Sequence, residues 1–110
     1  MESENLNMSE LTEARRKSLT ETIRPISVEE LRRLSGDLFP YVDDPWRERF
    51  MEFIEENPGA SYYHGTTHDQ VHIIYCSSKD KGIWFLPGSG LGPLQEKGLK
   101  IMKEITKKLH

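Results

Sequence analysis

Three runs rich in β-branched and aromatic residues, joined by two short polar connections, constrain this chain more than any other feature. Residues 60–66 contain Tyr62 and Tyr63, residues 71–77 read Val-His-Ile-Ile-Tyr-Cys-Ser, and residues 82–87 read Gly-Ile-Trp-Phe-Leu-Pro. The connections, residues 67–70 and 78–81, are too short for a crossover, so neighbouring strands must run antiparallel. A three-stranded meander follows.

Helical signals flank it. Ser27-Val28-Glu29-Glu30 is a capping box, with Ile26 and Leu31 as its hydrophobic staple. The helix it opens spans about residues 28–35, with Gly36 expected in the left-handed position at its end. Asp44-Pro45 opens a second helix with a good N-cap and a proline at the first helical position. Trp46, Phe50, Phe53 and Ile54 share its apolar face. Asn57-Pro58-Gly59 stops it. A third helix is expected from Pro93, with Leu94, Ile101, Met102, Ile105 and Leu109 on its apolar face. Lysines fill the other side, and Gly98 marks close approach to the sheet.

Residues 1–25 read differently. Met8, Leu11, Leu19 and Ile23 make a thin helical stripe that Arg15, Arg16 and Lys17 interrupt. So little apolar surface does not offset the ordering entropy, and a flexible or loosely helical tail is expected. The expected architecture is α+β: a three-stranded antiparallel meander packed by helices, order α-α-β-β-β-α. The tail takes residues 1–25 and a single domain takes residues 26–110.

Composition limits the setting. With 15 Lys and Arg against 18 Asp and Glu, the net charge is −3, which gives no support to a whole-surface nucleic-acid binder. Cys76 is the one cysteine and cannot form an intrachain bridge, whereas small secreted domains usually depend on several. Residues 1–9 lack the apolar core of a signal peptide, and no apolar run approaches ~18 residues. A cytoplasmic protein without membrane contact is expected.

Two clusters could carry chemistry. His64, His68, His72 and Cys76 recur every fourth residue. On a hairpin turning at His68, His64 and His72 would face each other and could hold zinc with a third ligand. The bland alternative makes them half-exposed strand residues, a turn tip and a small buried hydrophobe. A nucleophilic Cys76 is disfavoured within a strand. Gly88-Ser89-Gly90-Leu91-Gly92 joins a strand to a helix, and such a loop can cradle a small anion at the helix N-terminus. It matches neither a Walker loop nor a dinucleotide fingerprint; its bland reading is a tight reversal. Trp84 and Phe85 face opposite sides of the sheet by alternation, so one should leave the helix-packed core. An exposed aromatic there suits stacking or a protein contact.

From Asp44 onward, the order helix, three strands, helix is similar to the double-stranded-RNA-binding domain. Gly65-Thr66-Thr67-His68 resembles that family's loop between its first two strands, and Gly88-Ser89-Gly90 its glycine turn. The resemblance implies duplex RNA binding through Lys97, Lys100 and the 65–68 loop. The stretch Pro93-Leu94-Gln95-Glu96-Lys97-Gly98, however, lacks that family's basic cluster, and nucleic acid is not the expected partner.

The expected function is a non-catalytic binding or regulatory module, with a protein partner or self-association through an aromatic-bearing sheet face. Gly88, Ser89, Gly90, Gly92, Trp84 and Phe85 are its candidate ligand-binding residues. The alternative is a small metal- or anion-binding enzyme built on the histidine hairpin and the glycine loop.

Overall fold

A computed structural model describes residues 11–41, 43–88 and 90–109. In chain order the elements are α1 (Glu13–Thr22), β1 (Arg24–Ile26), α2 (Val28–Leu38), α3 (Pro45–Glu55), β2 (Tyr62–Thr66), β3 (His72–Cys76), β4 (Lys81–Leu86), β5 (Gly90–Pro93) and α4 (Glu96–Lys107). The strands form one antiparallel sheet in the order β1-β2-β3-β4-β5.

The sheet thus has five strands, which corrects the expected three. The expected meander is its centre, and a short strand is added at each edge. Both additions come from segments with weak strand signals. Arg24-Pro25-Ile26 pairs with β2, and Gly90-Leu91-Gly92-Pro93 pairs with β4. The order α-α-β-β-β-α is therefore replaced by α-β-α-α-β-β-β-β-α. Pro93 closes β5, and the last helix begins later, at Glu96 behind the N-cap Gln95.

Helices cover both faces of the sheet. On one side Tyr63, Ile73 and Tyr75 pack with Leu19 of α1 and with Met102 and Ile105 of α4. On the other, Tyr62, Ile74, Cys76, Ile83 and Phe85 pack with Leu31 of α2 and with Phe50 and Ile54 of α3. The reason lies in β3. Ile73, Ile74, Tyr75 and Cys76 are all buried, so neither of its faces can meet water. Each fully buried aliphatic side chain contributes roughly 1.5–3 kcal/mol.

The segment expected to be flexible or loosely helical is described from residue 11 onward, and it holds the helix α1. Thr12 caps α1 through Arg15 N–H, and Leu19 is fully buried. Residues 1–10 of that expectation lie outside the described residues. The thin stripe suffices because the helix docks on a glycine. A Cβ at Gly65 would stand 2.5 Å from Leu19 Cδ1 and 3.1 Å from the Ile23 Cα. Only a glycine lets α1 approach β2 so closely.

The capping box of α2 forms as expected, with Glu30 N–H donating to Ser27 Oγ and Ser27 N–H to Glu30 Oε1. The helix runs past Gly36 to Leu38, so Gly36 is a helical residue and not a terminator. Asp44 and Pro45 open α3 as expected. Each sheet edge carries a proline. The ladder parity set by Ser77 N–H to Ser61 O and Leu94 N–H to Gly82 O turns Pro25 and Pro93 outward. A proline offers no N–H to an incoming strand, which discourages edge-to-edge pairing.

Gly65→Ala should destabilise the fold by about 1–3 kcal/mol through overpacking against α1. Gly36→Ala has open space around it and should stabilise by about 0.5–1 kcal/mol. Urea denaturation of the two variants checks both signs.

Candidate functional site

The histidines come from the hairpin β2–β3. Its register places Thr66 opposite His72 and His64 opposite Ile74. The turn is therefore centred on Asp69, one residue later than His68, and His64 and His72 are diagonal neighbours. His64 Nε2 and His72 Nδ1 lie 2.9 Å apart, with ring planes 8° apart and centroids at 5.2 Å. Those values allow one arrangement. Both nitrogens must lie on the line between the centroids, so the rings are coplanar and meet head-on. One N–H···N bond joins them.

This is geometry for a shared proton. Two metal–imidazole bonds of ~2.0–2.1 Å in line would need ~4 Å between the nitrogens. The other candidate ligands do not join them. Cys76 is buried and lies four residues along the same strand face from His72, ~13 Å at ~3.3 Å per residue. His68 is an exposed turn residue. Among the described residues, no group of three or more His, Cys, Asp or Glu is placed to hold a metal.

The turn itself has a different task, which the sequence reading missed. The Asp69 carboxylate accepts from Arg15 Nε at 3.0 Å and Nη2 at 2.7 Å, and from Thr67 Oγ1 at 2.6 Å. Next along α1, Ser18 Oγ accepts from His68 N–H at 2.8 Å. Thr22 Oγ1 then donates to Thr66 O and accepts from Thr66 N–H, both at 2.8 Å. Positions 15, 18 and 22 share one helical side, and that spacing was the available signal. Burial alone would raise the Asp69 pKa. The hydrogen bonds from Arg15 and Thr67, with the Arg15 charge, outweigh it and hold the carboxyl at about 2.

The glycine loop is a hairpin. Leu86 pairs with Gly90, so the chain reverses between them, and Gly90 and Gly92 belong to β5. Ser89 lies outside the described residues. These glycines stand well before the N-terminus of α4, whose first turn carries Glu96. They therefore do not present that helix end to an anion. Gly92 is explained by packing: a Cβ there would lie 2.8 Å from Trp84 Cζ2, so the indole lies across the glycine of the neighbouring strand.

Trp84 and Phe85 do face opposite sides, and helices cover both. Trp84 is partly buried against the α1–α4 side. Phe85 is buried against Phe39, with ring centroids 4.3 Å apart. Tyr62, Tyr63 and Tyr75 are likewise buried, so the structure presents no open aromatic sheet face among these residues. Tyr75 donates to Asp80 at 2.7 Å. Burial first, and then Asp80, raises its pKa.

What the molecule does present is charge sorted by layer. On α4, Lys97, Lys100, Lys103 and Lys107 are exposed, with Lys108 at its C-cap, against Glu96 and Glu104. Arg16 and Lys17 of α1 lie on the same side of the sheet, beside Glu13 and Glu21. A cleft of about 280 Å³ opens between the two helices, lined by Arg16, Thr20, Glu104, Ile105, Lys107 and Lys108. Arg16 Nη2 pairs with Glu104 Oε1 across it at 3.2 Å. Leu109, expected in the apolar face, is instead 42% exposed just beyond Lys108. The opposite layer is acidic. There Glu29, Glu30, Asp37, Glu48, Glu52, Glu55 and the C-cap Glu56 of α2 and α3 outnumber Arg32, Arg33, Arg47 and Arg49.

No family model, curated protein or solved structure matches the chain. Among the described residues, no helix is long and apolar enough to cross a membrane. The order resembling the RNA-binding domain is interrupted, because a fourth strand, β5, stands between β4 and the last helix.

Asp69→Asn should lower stability by about 1–2 kcal/mol at neutral pH, discounted because the carboxylate is partly exposed. The depressed Asp69 pKa stabilises the fold above the ordinary carboxylate value. That contribution should fade as pH falls from about 3.8 toward about 2. Denaturant midpoints of wild type and variant across that range check the sign, since the variant lacks this component.

Proposed function

We propose that this domain is a non-catalytic binding module whose contact surface is the α1–α4 layer. The partner is an acidic protein segment. The sorting of charge supports this reading: a lysine-rich helix beside a cleft carrying Arg16, Lys107 and Lys108, on a chain whose net charge is −3. Opposite charge on a partner steers encounter and fixes orientation, more than it adds affinity. The exposed Leu109 supplies apolar contact at its end.

An acidic polypeptide fits this surface better than nucleic acid. Glu96 and Glu104 interrupt the lysine row; a polypeptide can place its carboxylates away from them, whereas a regular phosphate backbone cannot. Tyr62, Tyr63, Tyr75 and Phe85, which could stack on bases, are committed to the interior. A catalytic reading has less support, because the histidine pair and Cys76 do not converge.

A labelled oligoglutamate peptide, followed by fluorescence anisotropy at low salt, tests the proposal. Binding should weaken about tenfold in the Lys107→Glu/Lys108→Glu variant, and further as salt shortens the Debye length. Charge reversal at Glu52 and Glu55 on the opposite layer should leave it unchanged. Absence of binding at low salt would overturn the reading, as would tighter binding to duplex RNA in the same assay.

A further inference from the structure

We propose that His64 and His72 form a proton-operated latch that holds the turn end of the β2–β3 hairpin closed and releases it on acidification. The head-on arrangement is what makes it a latch. In the neutral pair one ring donates its N–H and the other accepts with its lone pair. When both rings are protonated, each facing nitrogen carries a hydrogen and each ring a positive charge. At 2.9 Å that state cannot form the bond, and the rings must separate.

Among the described residues, no carboxylate is among the groups that act on either ring. Arg24 on β1 stands opposite His64 and adds a like charge. Phe85 on β4 stands opposite His72, with ring centroids 6.2 Å apart. Phe39, from the end of α2, packs on Phe85 from the helical layer on that side. Thr66 on β2 is the cross-strand partner of His72. Burial, then the charges of His72 and Arg24, lower the His64 pKa to about 4, and burial lowers that of His72.

The lever is short. His72 follows Val71 directly, and Val71 N–H donates to Thr67 Oγ1, which itself donates to Asp69. Separating the rings therefore pulls on the turn that clamps Arg15 and Ser18 of α1. The Arg15–Asp69 pair does not titrate in the same window, because its carboxylate stays ionised down to about 2. A neutral-favoured histidine stabilises the fold above the ordinary histidine pKa. Its contribution declines as pH falls from about 6.5 to about 4.

The test is amide hydrogen exchange on the full chain, corrected for intrinsic rates, with parallel NMR titration of both imidazoles. Between pH 7 and pH 4.5, protection at residues 66–72 should fall at least ~tenfold, while α4 amides keep theirs. His64→Gln and His72→Gln, whose amides stay neutral and can still hydrogen-bond, should each flatten that loss. Two imidazoles titrating independently near 6.5 with unchanged protection would overturn the latch. So would an undiminished loss in both glutamine variants, which would place the acid response on carboxylates.

Discussion

The burial of β3 on both faces is the constraint from which the rest of the structure follows. A strand reading Ile-Ile-Tyr-Cys has apolar side chains in both alternating sets, so one helical layer cannot cover it. The chain meets this with four helices, two on each side. Tyr62 and Tyr63 on β2, and Ile83 and Phe85 on β4, extend the two inner surfaces sideways. With the sheet interior closed, contact with other molecules falls to the outer helical surfaces and to the loops.

The first helix shows how little local preference is needed once a site is prepared. Its mean apolar content is low, and in isolation it would be marginal. Three things in the hairpin receive it: the missing side chain of Gly65, the carboxylate of Asp69 and the backbone of Thr66 and His68. Each partner is more than forty residues away in sequence. The helix completes one hydrophobic layer and also contributes Arg16 to the cleft with α4. Fold and candidate surface thus share a dependence on one turn. The histidine pair lies at that same end of the hairpin, on the opposite sheet face.

Signals confined to a few neighbouring residues were legible. The capping box at Ser27, the Asp44-Pro45 start, the antiparallel pairing of β2, β3 and β4, and the opposed sides of Trp84 and Phe85 all follow from local chemistry or from period-two alternation. Long-range signals were not. Arg15 read as an interruption of an apolar stripe, whereas it reaches a carboxylate across the fold. The glycines near residue 90 read as a loop, because glycine and proline disfavour strands. Gly92 is instead the floor for Trp84, and a strand partner supplies what propensity lacks. The even spacing of His64, His68, His72 and Cys76 suggested convergence. A turn centred one residue later replaced it with a single diagonal pair, since register decides which side chains meet.

The amino-acid sequence by itself determined the central meander, the helices at Ser27 and Asp44, and the absence of an intrachain disulfide. These rest on hydrogen bonds and side-chain alternation spanning a few residues. Only the tertiary structure decided that residues 13–26 belong to the core, that the sheet has five strands, and that both its faces are covered. It alone showed that His64 and His72 share a hydrogen bond while the lysines of α4 border a cleft with α1. The physical reason is the same in each case. A marginal helix, a glycine-rich edge strand and a half-buried imidazole draw their free energy from partners distant in sequence, and their own residues do not name those partners.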